Sequence, residues 1–413
     1  MATQKKDTPD NFLLLVYRFL SSYKLATVVL ILMTLVTLFG TLGQVNHGLH
    51  AAKEKYFYSF LFTDKIGSIP IVLPGGLPLM FILFFNMVLG AIVKVRKRLK
   101  GLGLLISHIG MLLLLAGGFV TYAFATDGYM AMYPGMKTNR VESYRKWQLE
   151  IIKLTEENKA EKLFVYPSEA LQSIKSNEQR SIPGNGLPFD IVINGYSSNA
   201  MPVPVSAPIA AGVQAKQIDG FKLAPQDKSK EAEQNLPGCY LEIQPTGDEK
   251  PIETILWAGS YKFDPGEKPM PFIFEVEGQK YGALLAKKSW TVPFEVQLDE
   301  FIFEQHPGMS MARNYESRVT RFEEGKSDTS LEIKMNEPMR YEGYTFFQES
   351  FGPAGSQPGD RMYSQFAVAN NPADQWPLIA LCITGAGLLV HFFMMLVGFV
   401  VKSFQSKSKP KTA

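Results

Sequence analysis

The chain is short of the residues that most catalytic and redox chemistry needs. Its 413 residues include two cysteines, five histidines and four tryptophans. Two cysteines exclude a disulfide-rich scaffold. There is no C-x-x-C, which excludes thiol–disulfide exchange by a vicinal pair, and no C-x-x-C-H, so the chain carries no covalent c-type haem of its own. A phosphate loop ending in Gly-Lys-Ser/Thr is also missing, which argues against direct use of ATP. Trp147, Trp257, Trp290 and Trp376 stand apart and form no cluster. No histidine is placed beside a serine, cysteine or carboxylate in a pattern that suggests nucleophilic catalysis.

The net charge of +3 and a mean hydropathy of −0.01 describe an ordinary soluble protein only on average. Both quantities are segregated along the chain. Residues 25–43, 77–93, 102–124 and 377–401 are apolar runs of 19, 17, 23 and 25 residues, with His108 and His391 as their only ionisable groups. About 20 apolar residues cross a bilayer as a helix, and only a helix or a closed barrel satisfies its own backbone there. Four transmembrane helices are therefore expected: 25–43, 71–93 with a Pro/Gly-rich start, 101–124 and 377–401. The first run begins too late and is too long for a cleavable signal.

Basic residues crowd three short segments: 1–24, the loop 94–100 with five Lys or Arg and no acid, and the tail 402–413. The positive-inside rule assigns all three to the cytoplasm. Residues 44–70 then form a short outer loop, and 125–376 a large extracytoplasmic domain. That domain has 26 Lys plus Arg against 35 Asp plus Glu, a balance of −9, while the remainder has 16 against 4, a balance of +12.

The domain reads as β-rich. Residues 147–152, 272–276, 294–298, 330–335, 344–348 and 366–369 are strand candidates, dominated by β-branched and aromatic residues between turn residues. A sandwich or a pair of small sheets is expected. Residues 199–237, rich in Pro, Lys, Gln and Ala, read as a loop or linker that either splits the domain into two lobes or forms an excursion from one. The fold class is thus an α-helical membrane protein, with four transmembrane helices and a large β-rich extracytoplasmic domain between the third and fourth.

The histidines are the candidate functional residues. An ionisable side chain within a bilayer is costly and is a functional candidate by default. His108 borders a stripe of small residues, Gly103, Ser107, Gly110 and Gly117, which would let another helix approach closely. Neutral imidazole is a good axial ligand for haem iron. The bland alternative, a hydrogen bond to a neighbouring helix, is the commoner role for such a residue. His391, flanked by Phe392 and Phe393, is a second candidate for which the structural reading is favoured. His47 and His50, at i, i+3 spacing, would share a helix face but read better as a solvated loop. His306 reads as a turn residue.

Several segments together resemble one family. Gly40-Thr41-Leu42-Gly43-Gln44, Asn86 in Phe84-Phe85-Asn86-Met87, Ser107-His108-Ile109-Gly110 with residues 112–117, and above all Asn336-Glu337-Pro338-Met339-Arg340-Tyr341-Glu342-Gly343-Tyr344-Thr345-Phe346-Phe347-Gln348 are similar to ResB (CcsB), a membrane subunit of System II cytochrome c maturation. The resemblance implies a subunit that carries haem through the membrane and presents it for covalent attachment to apocytochrome c. It implies haem b as a transient substrate shared with a ResC/CcsA-type partner bearing a tryptophan-rich WWD loop, the two acting together as a cytochrome c haem lyase. In that family the third-helix histidine ligates the membrane haem, and His108 is the matching position, so the ligand reading of His108 gains from the resemblance and not from spacing. No such role transfers to His391.

The WWD loop is missing here, so the outer haem site is expected from the partner. Apocytochrome c, a thioredoxin-like reductant and the lipid bilayer are further expected partners, and no nucleic acid is. A bacterial inner membrane is the expected location, with both termini cytoplasmic and the domain periplasmic. The alternative is a scaffold that binds no haem and whose outer domain docks apocytochrome c. A transporter or channel ranks last, because four helices with two ionisable groups give a poor polar path.

Overall fold

A computed structural model describes residues 12–94, 101–157, 159–174, 178–184, 186–260, 265, 270–308, 312–353, 355–356 and 359–407. The basic segment at 95–100, residues 1–11 and the tail beyond 407 lie outside the described residues. The chain divides into two compact units, residues 1–125 with 371–413, and residues 126–370.

The first unit contains four helices long and apolar enough to cross a membrane: Tyr23–His47, Gly76–Val93, Leu102–Phe124 and Trp376–Phe404. Most of their apolar side chains point outward, as Leu38, Leu114, Leu389 and Phe393 do at half exposure or more. Outward-facing apolar residues along a whole helix suit a lipid surround.

Two elements depart from the sequence reading. Residues 71–74, expected to begin the second span, instead belong to a hairpin of Leu61–Ile66 and Ile69–Pro74 that turns at Gly67, with φ of 61°. Pro70 and Pro74 lack the N–H that a helix would use, and Ile69, Ile71 and Val72 favour extended backbone. The helix starts only at Gly76. The second departure is a helix at Phe12–Leu20, in the segment read only as a cytoplasmic N-terminus.

The Gly40-to-Gln44 segment has a plain physical reason. A π-helical turn, Lys53–Tyr58, folds back on the end of the first long helix. A Cβ on Gly40 would lie 3.0 Å from Phe57 Cζ, and one on Gly43 would lie 2.8 Å from the Tyr56 hydroxyl. Both glycines make room for rings.

The third and fourth helices pair most closely. A Cβ on Gly103 would meet the Gly387 carbonyl at 2.6 Å, and one on Gly110 would meet the Ala380 carbonyl at 2.7 Å. From the other side, a Cβ on Gly387 would lie 2.5 Å from the Ser107 amide nitrogen. Ser107 Oγ donates to the Gly103 and Thr384 carbonyls, each at 3.1 Å. The small-residue stripe is thus filled by the fourth helix, backbone against backbone.

In the second unit, two strands of unusual length, Lys137–Leu154 and Gln279–Gln305, pair antiparallel. Their register shifts between Lys287 and Ser289 and again between Thr291 and Val296. These shifts divide the pair between two cores. On one side it is flanked by Ala160–Tyr166 and Phe272–Val276, and a core with Leu149, Ile151 and Leu285 packs against residues of a four-stranded sheet such as Phe189, Ile191 and Leu241. On the other side the large sheet runs in the order 329–334, 312–322, 279–305, 137–154, 126–132, 363–370, 344–352, 339–341. Its two edge strands are consecutive in the chain, a local Lys334–Glu337 bridge turns the chain between them, and Ile333 and Met339 from the two edges share one core with Met132, Phe294, Phe346 and Phe366.

Six strand candidates fall within observed strands, apart from Met335 at the end of one. The linker reading of 199–237 is corrected. That segment folds as a three-stranded sheet of Ala200–Pro204, Phe221–Pro225 and Gln217–Ile218, with Val203, Ala210 and Ala224 buried together. Trp257 Nε1 donates to the Ala200 carbonyl at 2.7 Å, which ties it to the four-stranded sheet. Small side chains gave it the composition of a coil. The domain does have two cores, but the divide runs through the shifted register and not through this segment.

The helix pair supplies a sharp test. Gly387→Val must push the third and fourth helices apart, and the expected loss is about 2 kcal/mol or more, read as a lowered thermal midpoint in detergent. Gly385→Val, two residues away with no atom within 4 Å of its Cβ position, should leave the midpoint nearly unchanged.

Candidate functional site

The third helix places His108 one residue beyond Ser107, about 100° around from the face that meets the fourth helix. His108 therefore escapes the helix pair and stays half-buried. Its Nδ1 lies 2.7 Å from the Leu104 carbonyl, one turn back. A carbonyl only accepts, so Nδ1 must carry the proton. In the neutral ring the lone pair then sits on Nε2, directed away from its own backbone. Metal-binding histidines are oriented in this way, with the second nitrogen tied to a carbonyl or carboxylate.

Leu115 and Phe119 follow on the same helix face, at two and three turns. Phe119 stacks on Phe81 of the second helix at 4.3 Å between centroids and meets Phe84 edge-on at 6.0 Å. The last turns of that second helix, Val88–Val93, widen into a π-helix. His108 itself sits among apolar residues of its own helix, Leu104, Ile109 and Leu112, and the aromatic cluster lies about 16 Å further along. This one imidazole could serve one axial position of a haem and does not complete a site. Among the described residues no group of three or more His, Cys, Asp and Glu could hold a metal ion.

The other histidines stand elsewhere. The backbone of His391 abuts Gly103, with its amide nitrogen and Cα at the place a Cβ would occupy. Its Nδ1 is buried without a hydrogen-bond partner, and its ring meets Phe392 at 5.7 Å. His47 and His50 do not share a helix face. The helix ends at His47, and Gly48, with φ of 82°, begins a new short helix, Leu49–Ala52. His306 is half-buried just past a strand end.

Asn86 acts locally. It is buried, and its Nδ2 donates to the Leu20 carbonyl at 2.6 Å and the Ser22 carbonyl at 3.0 Å. It holds the break between the helices Phe12–Leu20 and Tyr23–His47. A lone amide inside an apolar run was the available signal, because such a group must find partners.

In the second unit, the stretch from Asn336 to Gln348 is a tight hairpin. Strands Met339–Tyr341 and Tyr344–Gly352 are joined by Glu342 and Gly343, with φ of 48° and 77°. Positive φ at both turn residues is the two-residue hairpin solution, and Gly343 meets it without strain. Tyr341 is held by a hydrogen bond to Glu323, by Lys326 at 3.0 Å, and by the Arg321 guanidinium 3.5 Å from its ring centroid. Met339 and Phe346 enter the core. Gln348 joins Ser317 and Ser364 in a fully buried network of bonds at 2.7 to 2.9 Å. This stretch builds the sheet, and it presents no catalytic arrangement.

Sequence reasoning missed the junction of the two cores. Lys287 is 8% exposed, and its Nζ donates to the Tyr144 carbonyl at 2.5 Å and lies 4.3 Å from the Trp147 ring centroid. Burial is the main cause that lowers its amine to about 8, with Glu142 and Glu233 opposing. Tyr144 donates to Glu349 at 2.7 Å, and its phenol is pushed upward by burial and by that carboxylate. Nothing in the linear sequence marks Lys287, because its neighbours come from a strand more than 130 residues earlier. Cys239 is fully buried, and desolvation pushes its thiol up to about 12, so it is inert.

Residues 272–360 match the profile of the ResB-like family. The match runs from the strand Phe272–Val276 to just past Tyr344–Gly352 and contains the whole Asn336-to-Gln348 hairpin. It bears out the resemblance to ResB and supports a role in cytochrome c biogenesis. No curated protein matches the chain.

Lys287 gives a pH test. Its amine titrates near 8 in the fold against 10.5 in an unfolded chain. The unfolded state binds the extra proton between those values, so the fold gains stability as pH rises through that window. Relative to Lys287→Met, the wild type should gain about 1–3 kcal/mol between pH 8 and 10.5. Thermal melts of both proteins, followed by tryptophan fluorescence, measure the difference.

Proposed function

We propose that this chain is a membrane subunit of a cytochrome c maturation complex, and that His108 Nε2 is one axial ligand of a haem b held as cargo. The observation that carries the reading is the bond from Nδ1 to the Leu104 carbonyl, which leaves Nε2 as the ligating nitrogen on an apolar, half-buried helix face. The match over residues 272–360 supports the same process. Haem supplies the iron that the imidazole binds. The chain supplies the fixed tautomer, the apolar wall and the exclusion of water from one side.

A second axial ligand then comes from a ResC/CcsA-type partner with a WWD loop. The domain of residues 126–370 faces the periplasm and receives apocytochrome c, and its excess of acids favours basic segments of that partner. A thioredoxin-like protein keeps the acceptor thiols reduced. The scaffold reading is supported by the matched segment itself, where the recognisable residues build a turn and a core and do no chemistry.

The two readings separate on one experiment. His108→Gly in the purified partner complex should lose most of the bound haem and its Soret absorbance, and added imidazole should restore both. His391→Ala should retain them. Unchanged haem and Soret band in His108→Gly, with no effect of imidazole, would leave the scaffold reading standing.

A further inference from the structure

The helix Phe12–Leu20 has no buried residue, yet eight of its nine residues are apolar or aromatic. Val16, Tyr17 and Leu20 are half-buried, and the helix contacts the second helix. Phe12, Leu13, Leu15 and Phe19 are 74, 72, 57 and 60% exposed. A stripe of that kind is not stable in water without cover.

The next helix does not need these residues to cross a membrane. Tyr23–His47 has 25 residues and is about 37 Å long, against a hydrocarbon core of about 30 Å. The break between the two helices is built by the second helix. Asn86 takes the carbonyls of Leu20 and Ser22, Lys94 Nζ lies 3.4 Å from the Ser21 carbonyl, and Gly90 leaves room for that carbonyl. Ser22 Oγ accepts from the Leu25 amide at 3.2 Å and caps the new helix. The charge at this end is mostly basic: Lys24 and Lys94 lie here, and beyond Asp7 and Asp10 the sequence has no Asp or Glu from residue 11 to 53 or from 65 to 126.

We propose that the helix Phe12–Leu20 is an interfacial element, lying in the boundary between headgroups and acyl chains of an anionic leaflet. Phe12, Leu13, Leu15 and Phe19 enter the acyl region, and Lys24 meets the lipid phosphates. The assignment is independent of haem and rests only on the apolar helices being membrane spans.

The test uses the full chain with Cys382→Ser, so that an introduced cysteine is the labelled one while Cys239 stays buried. An environment-sensitive fluorophore is placed at Leu13→Cys, Phe19→Cys, Lys24→Cys and, as a reporter of the first span, Leu38→Cys. The proteins are reconstituted in phosphatidylcholine vesicles with or without phosphatidylglycerol. Labels at 13 and 19 should be quenched at least threefold more by shallow spin-labelled lipid than by aqueous iodide. The label at 24 should show the reverse, and the contrast should grow with phosphatidylglycerol. Leu13 and Phe19 are exposed, so their replacement removes no packing.

Equal iodide access at 13, 19 and 24 places the helix in water and overturns the proposal. Strongest quenching at 13 and 19 by deep spin label makes it part of the span, and protection from both quenchers makes it a protein contact; either overturns it. No response to phosphatidylglycerol overturns the anionic assignment. Deep quenching at Leu38→Cys in the same preparations shows that the span itself is intact, so a failure at 13 and 19 is read separately from a failure of the membrane reading.

Discussion

The close approach of the third and fourth helices is the contact on which the rest depends. Gly103, Ser107 and Gly110 face Gly387, Thr384 and Ala380, and only the small side chains of Ser107 and Thr384 lie between the two backbones. The whole second unit is inserted between these helices. Within that unit the insert closes on itself, since its first and last residues, Thr126 and Asn370, are paired in the sheet. Within the first unit the same crossing is secured by Thr121 and Asn371, whose side chains bond at 3.1 and 3.2 Å. The pairing also decides what His108 can do. With the small-residue face occupied by a helix, the imidazole one position on is turned toward a different surface.

Much of this was legible, and the gaps have physical causes. Four helices, the β-rich insert and the small-residue stripe follow from period and composition, because burial and backbone satisfaction leave few choices in an apolar run. The identity of the stripe's partner did not follow, since Gly387 is one small residue among several in its helix. The segment 199–237 was misread because alanine and proline resemble coil in composition, while the register of three short strands gave them a core. The helix Phe12–Leu20 was hidden by its shortness. Of the candidate site, His108 and its neighbours could be named from the sequence. The bond that fixes its tautomer depends on rotamer choice, and the Lys287 junction depends on a pairing across more than 130 residues.

The recognisable segments divide by role. Gly40, Gly43, Gly343 and Asn86 are explained by close approach, turn geometry and unmet carbonyls. Such residues mark a fold and carry little information about chemistry. His108 differs, because its side chain makes one local bond and leaves a strong ligand atom unused by the fold. An unspent nitrogen on an apolar helix is the feature that stability alone does not account for.

The pairing of Thr126 with Asn370 also bears on biosynthesis. The strand Thr126–Met132 is made early, but one of its two partners, Tyr363–Asn370, is made last in the domain. The large sheet cannot be completed until nearly the whole insert has been synthesised. At that moment the next residues to emerge are those of the fourth helix, whose glycine face matches a third helix already waiting. The strand that completes the sheet thus precedes the fourth helix in the chain by only a few residues, so the sheet's last strand is made before the helix that packs on the third.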